Sequence, residues 1–117
     1  MKFTLEPPNP SYARNGSNAK LVWDYNVDNQ AELLGIVYSV IVGNGAPTGI
    51  LVKLSDGSIT EHRDIPPAYK GRVRIEGRAS LVVENVTPQD NTEFKYVLVP
   101  NSGTDLESKV QLIVTGT

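Results

Sequence analysis

The stretch LVVENVTPQDNTEFKY, residues 81–96, constrains the fold more than any other part of the chain. Leu81 and Val83 fall on one face of an extended strand, and Val86 follows before Thr87-Pro88. The short turn Pro88-Gln89-Asp90-Asn91 leads into a second alternating strand that places Phe94, Tyr96 and Leu98 on one face, because successive side chains of a strand point to opposite sides. Two alternating strands joined by a corner of this kind belong to a β-sandwich.

The rest of the chain supplies more short strands. Residues 2–6 suit an edge strand, which Pro7, Pro8 and Pro10 prevent from continuing in a ladder. A proline kink here lets a first strand change sheets. Asn15-Gly16-Ser17 signals a turn, and residues 19–25 alternate, with Ala19, Leu21, Trp23 and Tyr25 on one face. Residues 26–32 are polar and loop-like. The run LLGIVYSVIV at 33–42 is apolar and β-branched, as a central strand would be. Asn44-Gly45 is a hairpin signal leading to strands at 49–54 and 59–62, with Asp56-Gly57 turning between them. Strands are expected at 72–76 and, after Gly77-Arg78, through residue 83. Beyond the corner, 101–105 is a loop and 106–115 a final strand. No window carries a helical period. About nine short strands with frequent turns predict an all-β Greek-key sandwich of two antiparallel sheets. Cadherin-like and fibronectin type III sandwiches are the alternatives.

Length and charge narrow the function. A chain of 117 residues makes one domain spanning 1–117, with no room for a second core. A formal charge of −2 leaves nothing to neutralise phosphates, which argues against nucleic acid. With no cysteine and one histidine, a transition-metal site has too few ligands. The absence of cysteine fits either a cytosolic address or an extracellular core that replaces a disulfide by packing. His62 falls on an edge strand, where a solvated side chain is the plain account. The acidic residues are scattered, without the paired motifs that bind calcium between cadherin repeats, and Gly43-Asn44-Gly45 does not open a helix as a phosphate loop would. With no nucleophile-base constellation, no enzyme, no cofactor and no small-molecule substrate is expected. Nothing approaches a membrane span of about 20 apolar residues, and no signal peptide leads the chain; both are expected outside this stretch. The triplets Asn15-Gly16-Ser17 and Asn85-Val86-Thr87 are N-glycosylation acceptors that favour a secretory route.

Taken together, Leu21-Val22-Trp23-Asp24-Tyr25, Arg72-Val73-Arg74-Ile75, residues 81–90 and Phe94-Lys95-Tyr96 resemble a variable-set immunoglobulin domain without its cysteines. Such a domain normally reads Asp-x-Gly-x-Tyr-x-Cys at the corner. Here the aspartate is Asp90, the corner tyrosine is Phe94 and the cysteine is Tyr96. Trp23 takes the other cysteine position, 73 residues earlier. The resemblance implies that Trp23 and Tyr96 replace the disulfide, with an edge-to-face contact worth about 0.5–1.5 kcal/mol beyond burial. An aromatic ligand cage is the functional alternative. Arg72 and Asp90 match the arginine and aspartate that close the bottom of many variable-type domains. Phe94 has no hydroxyl, so the tyrosine-corner hydrogen bond is missing and the corner is expected to rely on packing.

The remaining signal is apolar residues on outward faces. If Phe94, Tyr96 and Leu98 point inward, then Lys95, Val97 and Val99 point out, and on the last strand Lys109, Gln111 and Ile113 do the same. Which face of 33–42 is inward stays open. Simple β-propensity accounts for single exposed valines, whereas a clustered patch marks a protein partner. The expected partner surface is Leu51, Lys53, Lys95, Val97, Val99, Gln111 and Ile113. Within the immunoglobulin group the chain looks most like the membrane-distal domain of the allorecognition (Alr-type) receptors of colonial hydroids. That resemblance implies the ectodomain of a cell-surface membrane protein, which binds the same domain on an opposing cell to tell self from non-self. A heterophilic receptor or structural spacer, binding another protein through loops 26–32 and 101–105, is the alternative.

Overall fold

Alternating segments become strands, and the turn residues between them fix where each strand stops. The computed structural model describes residues 1–29, 32–42 and 45–116. Within them the chain forms β1 (Lys2–Leu5), β2 (Ser11–Arg14), β3 (Ala19–Leu21), β4 (Asp24–Asn26), β5 (Leu33–Ile41), β6 (Pro47–Leu54), β7 (Ile59–Glu61), β8 (Val73–Glu76), β9 (Ser80–Val83), β10 (Glu93–Pro100) and β11 (Leu106–Thr115). The front layer is one sheet in the order β2-β11-β10-β5-β6-β7, and the back layer holds β3-β9-β8 and the pair β1-β4. Short 3-10 turns at Pro67–Tyr69 and Pro88–Asp90 connect strands across the layers.

Eleven strands replace the expected nine because one expected strand is broken and one more forms beyond the prolines. Pro7, Pro8 and Pro10 end the first strand, as their missing N–H groups demand. β1 runs antiparallel to β4 in the back layer, and β2, which follows the prolines, runs parallel to β11 in the front. The strand expected over 19–25 leaves the ladder at Val22 and Trp23, giving β3 and β4. The strand expected from residue 49 begins at Pro47, the strand-initial position a proline tolerates. The hairpin signal at Asn44 and part of the 26–32 loop lie outside the described residues.

Register then decides which side chains enter the core. Phe94 lies opposite both Val40 and Val110, Tyr96 opposite Tyr38 and Ser108, and Leu98 opposite Ile36 and Leu106. Phe94, Tyr96 and Leu98 are fully buried, so their partners on β5 face inward too, which fixes the facing that the sequence left open. From the back layer, Ala19, Leu21 and Leu81 meet them. Each such side chain contributes about 1.5–3 kcal/mol through burial.

A bulge alters the pattern in β6. Tyr38 opposes Leu51 and Ser39 opposes Gly49, leaving Ile50 as the extra residue. Ile50 and Leu51 therefore both turn inward, at 0% and 3% exposure. Lys53, opposite Ile36, also sits on the inner side and reaches the back layer, where Nζ donates to the carbonyl of Arg78 at 2.6 Å. Leu51 and Lys53 are thus corrected out of the outer face. One inserted residue flips the side on which every residue before it falls. The molecule is 45 Å along its longest axis. β11 starts beside the end of β10 at one pole and finishes beside Arg14 of β2 at the other.

Candidate partner-binding face

The interior holds an aromatic cluster where a cross-link would stand. The Trp23 and Tyr96 rings stack, with centroids 4.9 Å apart and planes at 11°. The expected edge-to-face geometry is instead supplied by Tyr38, which meets Tyr96 at 5.2 Å and 76° and Trp23 at 6.5 Å and 66°. Phe3 of β1 closes the group at 5.7 Å from Tyr96. Trp23 Nε1 donates to Ser108 Oγ at 2.9 Å, and Ser108 donates to Glu6 at 2.6 Å. Tyr38 donates to the Ala79 carbonyl at 2.6 Å, while the buried Tyr96 hydroxyl has no partner among the described residues. Burial pushes the phenols of Tyr38 and Tyr96 well above their ordinary range. Tightly packed and closed to solvent, the cluster is core rather than a ligand cage.

At the lower pole Arg72 grips Asp90 with two nitrogens, at 3.0 and 3.1 Å. Asp90 also accepts the N–H of Thr87 at 3.0 Å, and Thr87 Oγ1 accepts the N–H of Gln89, so the 3-10 turn is capped from both sides. Phe94, lacking a hydroxyl, packs edge-on against Tyr69 at 6.0 Å and 88°. Burial, with the Asp90 carboxylate beside it, raises the Tyr69 phenol. A depression of about 660 Å³ opens here, lined in part by Val42, Tyr69, Arg72, Asn85 and Gln89. Its charged groups are spent on each other, and among the described residues no cluster of three or more acidic or histidine side chains could hold a metal.

The two outer faces differ in kind. On the back layer, Lys20 pairs with Glu76 at 2.9 Å, Arg74 with Glu76 at 2.9 Å and Arg74 with Glu84 at 3.0 Å. Hydrogen bonds from Lys20 and Arg74 hold the Glu76 carboxyl below its usual range. This lattice covers Val82, which is only 2% exposed although it points away from the core.

The front layer has no such cover. Register puts Val97, Val37 and Val52 side by side across β10, β5 and β6. Val99 and Leu54, on either side of Gly35, extend the strip, while Ile113 beside Tyr12 lies farther along β11, beyond Lys109 and Gln111. Leu54 is 47% exposed and Tyr12 is 68% exposed. Gly35, between Val99 and Leu54, keeps the strip low, and Gly49, opposite Ser39, makes room for a ring. A Cβ on Gly49 would come within 2.3 Å of the His62 ring, so His62 lies flat over the backbone there. Beside the strip, Lys95 pairs with Glu107 at 3.1 Å, and Glu93 and Lys109 stand in the same outward register.

Of the residues expected on this surface, Lys95, Val97, Val99, Gln111 and Ile113 do share the outer face, and Leu51 and Lys53 do not. Val37, Val52, Leu54 and Tyr12 were missed. Both sides of the β5 run are apolar, so alternation alone does not choose between Val37 and Tyr38. Gly35, within the apolar run, was the available signal for a low spot on the outer face. No helix of the described residues is long and apolar enough to cross a membrane.

No protein-family model matches the chain, and no curated protein sequence does. Solved structures do. Murine CRIg superposes with a TM-score of 0.76 at 14% identity, covering 99% of this chain and 100% of that one. A chain from the structure of T cell specificity and activation by the bacterial superantigen toxic shock syndrome toxin-1 superposes with a TM-score of 0.71 at 12% identity, covering 97% of each. At these identities the likeness is one of fold: the chain is an all-β, immunoglobulin-like sandwich of variable type, built without cysteine.

Proposed function

We propose that this chain is an extracellular recognition domain of a cell-surface protein, and that it binds a second copy of itself on an opposing cell through the outer face of its front sheet. The observation that carries this is the contrast between faces: one is closed by a lattice of ion pairs, the other presents a low apolar strip. Apolar centres with charged rims suit protein partners. The rim suits a second copy in particular, because it carries two lysines, Lys95 and Lys109, and two glutamates, Glu93 and Glu107. Equal numbers of each sign let a two-fold pairing set cation against anion in both directions. The resemblance to hydroid allorecognition receptors points the same way, with rim charges setting which variants pair.

The test compares a charge-swapped variant (Lys95→Glu and Lys109→Glu with Glu93→Lys and Glu107→Lys), which keeps two charges of each sign, with its parent, each on beads of one colour. Preferential clustering with like beads is the expected result. Mixed clusters as frequent as pure ones would sink the proposal.

A heterophilic reading through the loops has one observation in its favour. A depression of about 450 Å³ lies at the upper pole, lined in part by Met1, Glu32, Pro100, Ser102 and Thr104. Exchange of residues 101–105 that moves binding to another ligand, while leaving self-clustering absent, would support it over the front face.

A further inference from the structure

The two glycosylation triplets are 70 residues apart in the chain, Asn15 against Asn85, yet the fold sets them side by side. Gly16 N–H donates to the Val86 carbonyl at 2.7 Å, and Val86 N–H donates back to the Ser17 carbonyl at 2.9 Å. The middle residue of each triplet is therefore bonded to the other triplet. The Asn18 side chain adds a third link, accepting the N–H of Asn85 at 3.1 Å. Asn15 N–H donates to Thr115 at 2.7 Å, which places both triplets at the pole where β11 ends, off the outer face of the front sheet.

Neither acceptor amide is committed. Among the described residues, the side chains of Asn15 and Asn85 make no hydrogen bond, whereas those of neighbouring Asn18 and Asn91 do. Asn85 is exposed and Asn15 half-exposed. Asn85 has a φ of 51°, a left-handed conformation that asparagine tolerates better than most residues. It turns the side chain outward, while Val86 beside it is fully buried. The sequence thus keeps an apolar anchor in the triplet and leaves its two ends, Asn85 and Thr87, at the surface.

We infer that Asn15 and Asn85 both carry N-linked glycans, forming a paired sugar cap at this pole. The donor is a polyprenyl-diphosphate-linked oligosaccharide acted on by the host's transferase. The amide Nδ2 forms a bond to C1 of the first sugar, the C1–O bond to the diphosphate breaks, and the lipid diphosphate leaves as the amide proton passes to a base. Transfer takes place before folding is complete, so the folded chain has only to leave room for both sugars at adjoining sites. The inference is independent of how the front face is used.

The chain is secreted from a eukaryotic host, and intact mass and glycopeptide mapping are read before and after peptide-N-glycosidase treatment. Two glycan masses are expected, with Asn15→Gln and Asn85→Gln each removing one. Ser17→Ala and Thr87→Ala should remove the same glycans with the asparagines still in place, and Thr87→Ser, which keeps the hydroxyl that caps the 3-10 turn and the acceptor triplet, should retain the second glycan. A secreted chain of unmodified mass, or one bearing a single glycan at full expression, would overturn the inference.

Discussion

Replacing Tyr96 with phenylalanine should stabilise the protein, although Tyr96 stands at the centre of the core. Its ring is fully buried and stacked on Trp23, and phenylalanine keeps that contact. Its hydroxyl is buried with no partner among the described residues. A buried polar group left unsatisfied costs about 1–3 kcal/mol. Removing one oxygen opens a gap of roughly 10–15 Å³, worth about 0.3 kcal/mol at 24 cal/mol per Å³. The net expectation is a gain of about 1 kcal/mol, or about 4 °C in Tm for a chain of 117 residues. Tyr38→Phe is the matched control, since it also removes one buried hydroxyl. That hydroxyl donates to the Ala79 carbonyl at 2.6 Å, so its loss leaves an acceptor stranded. A loss of about 1–2 kcal/mol follows. Urea titrations of the three proteins with a common m-value would read both shifts. If Tyr96→Phe lost stability as Tyr38→Phe does, the partner accounting on which this rests would be wrong.

Asp90→Ala should cost about 3 kcal/mol, because it leaves the half-buried Arg72 guanidinium uncompensated and uncaps the 3-10 turn; a double variant with Arg72→Met, measured by the same denaturation, should recover part of that. Stability should also fall in alkali. Burial raises the phenols of Tyr38, Tyr69 and Tyr96 in the folded state, so the native chain holds protons that the unfolded chain releases near pH 10. Their contribution is whole below that pH and is lost as pH rises beyond it. Phenolate absorbance at 295 nm, followed with circular dichroism, should show these three titrating only as the sheet signal collapses; a smooth titration with the sheet intact would contradict this.

Much of the fold was legible because alternation in half-buried strands is a strong signal. Phe94, Tyr96 and Leu98, with Val110, Leu112 and Val114, went inward as the period of two requires. The strand that changes sheets was announced by three prolines within four residues. Other features were hidden for physical reasons. A bulge is a local choice of register, and at Ile50 it put two successive residues, Ile50 and Leu51, into the core against the period. Lys53 looked like a rim charge, but a long apolar stem let it cross the sandwich edge to Arg78. Tyr38 was invisible as a member of the aromatic cluster because the run around it is apolar on both faces. Val82 lay on an outer face that ion pairs between distant strands had closed, and those pairings exist only once β3, β8 and β9 are assembled.

Self-association through the front face is tested most directly by sedimentation equilibrium across a wide concentration range. The unaltered protein should dimerise with concentration. Val97→Glu, which sets a carboxylate at the middle of the apolar strip, should weaken that dimer by about a hundredfold or more, and Lys20→Gln, on the ion-paired back face, should leave it unchanged. A dimer indifferent to Val97→Glu, or a monomer at every concentration tested, would contradict the account.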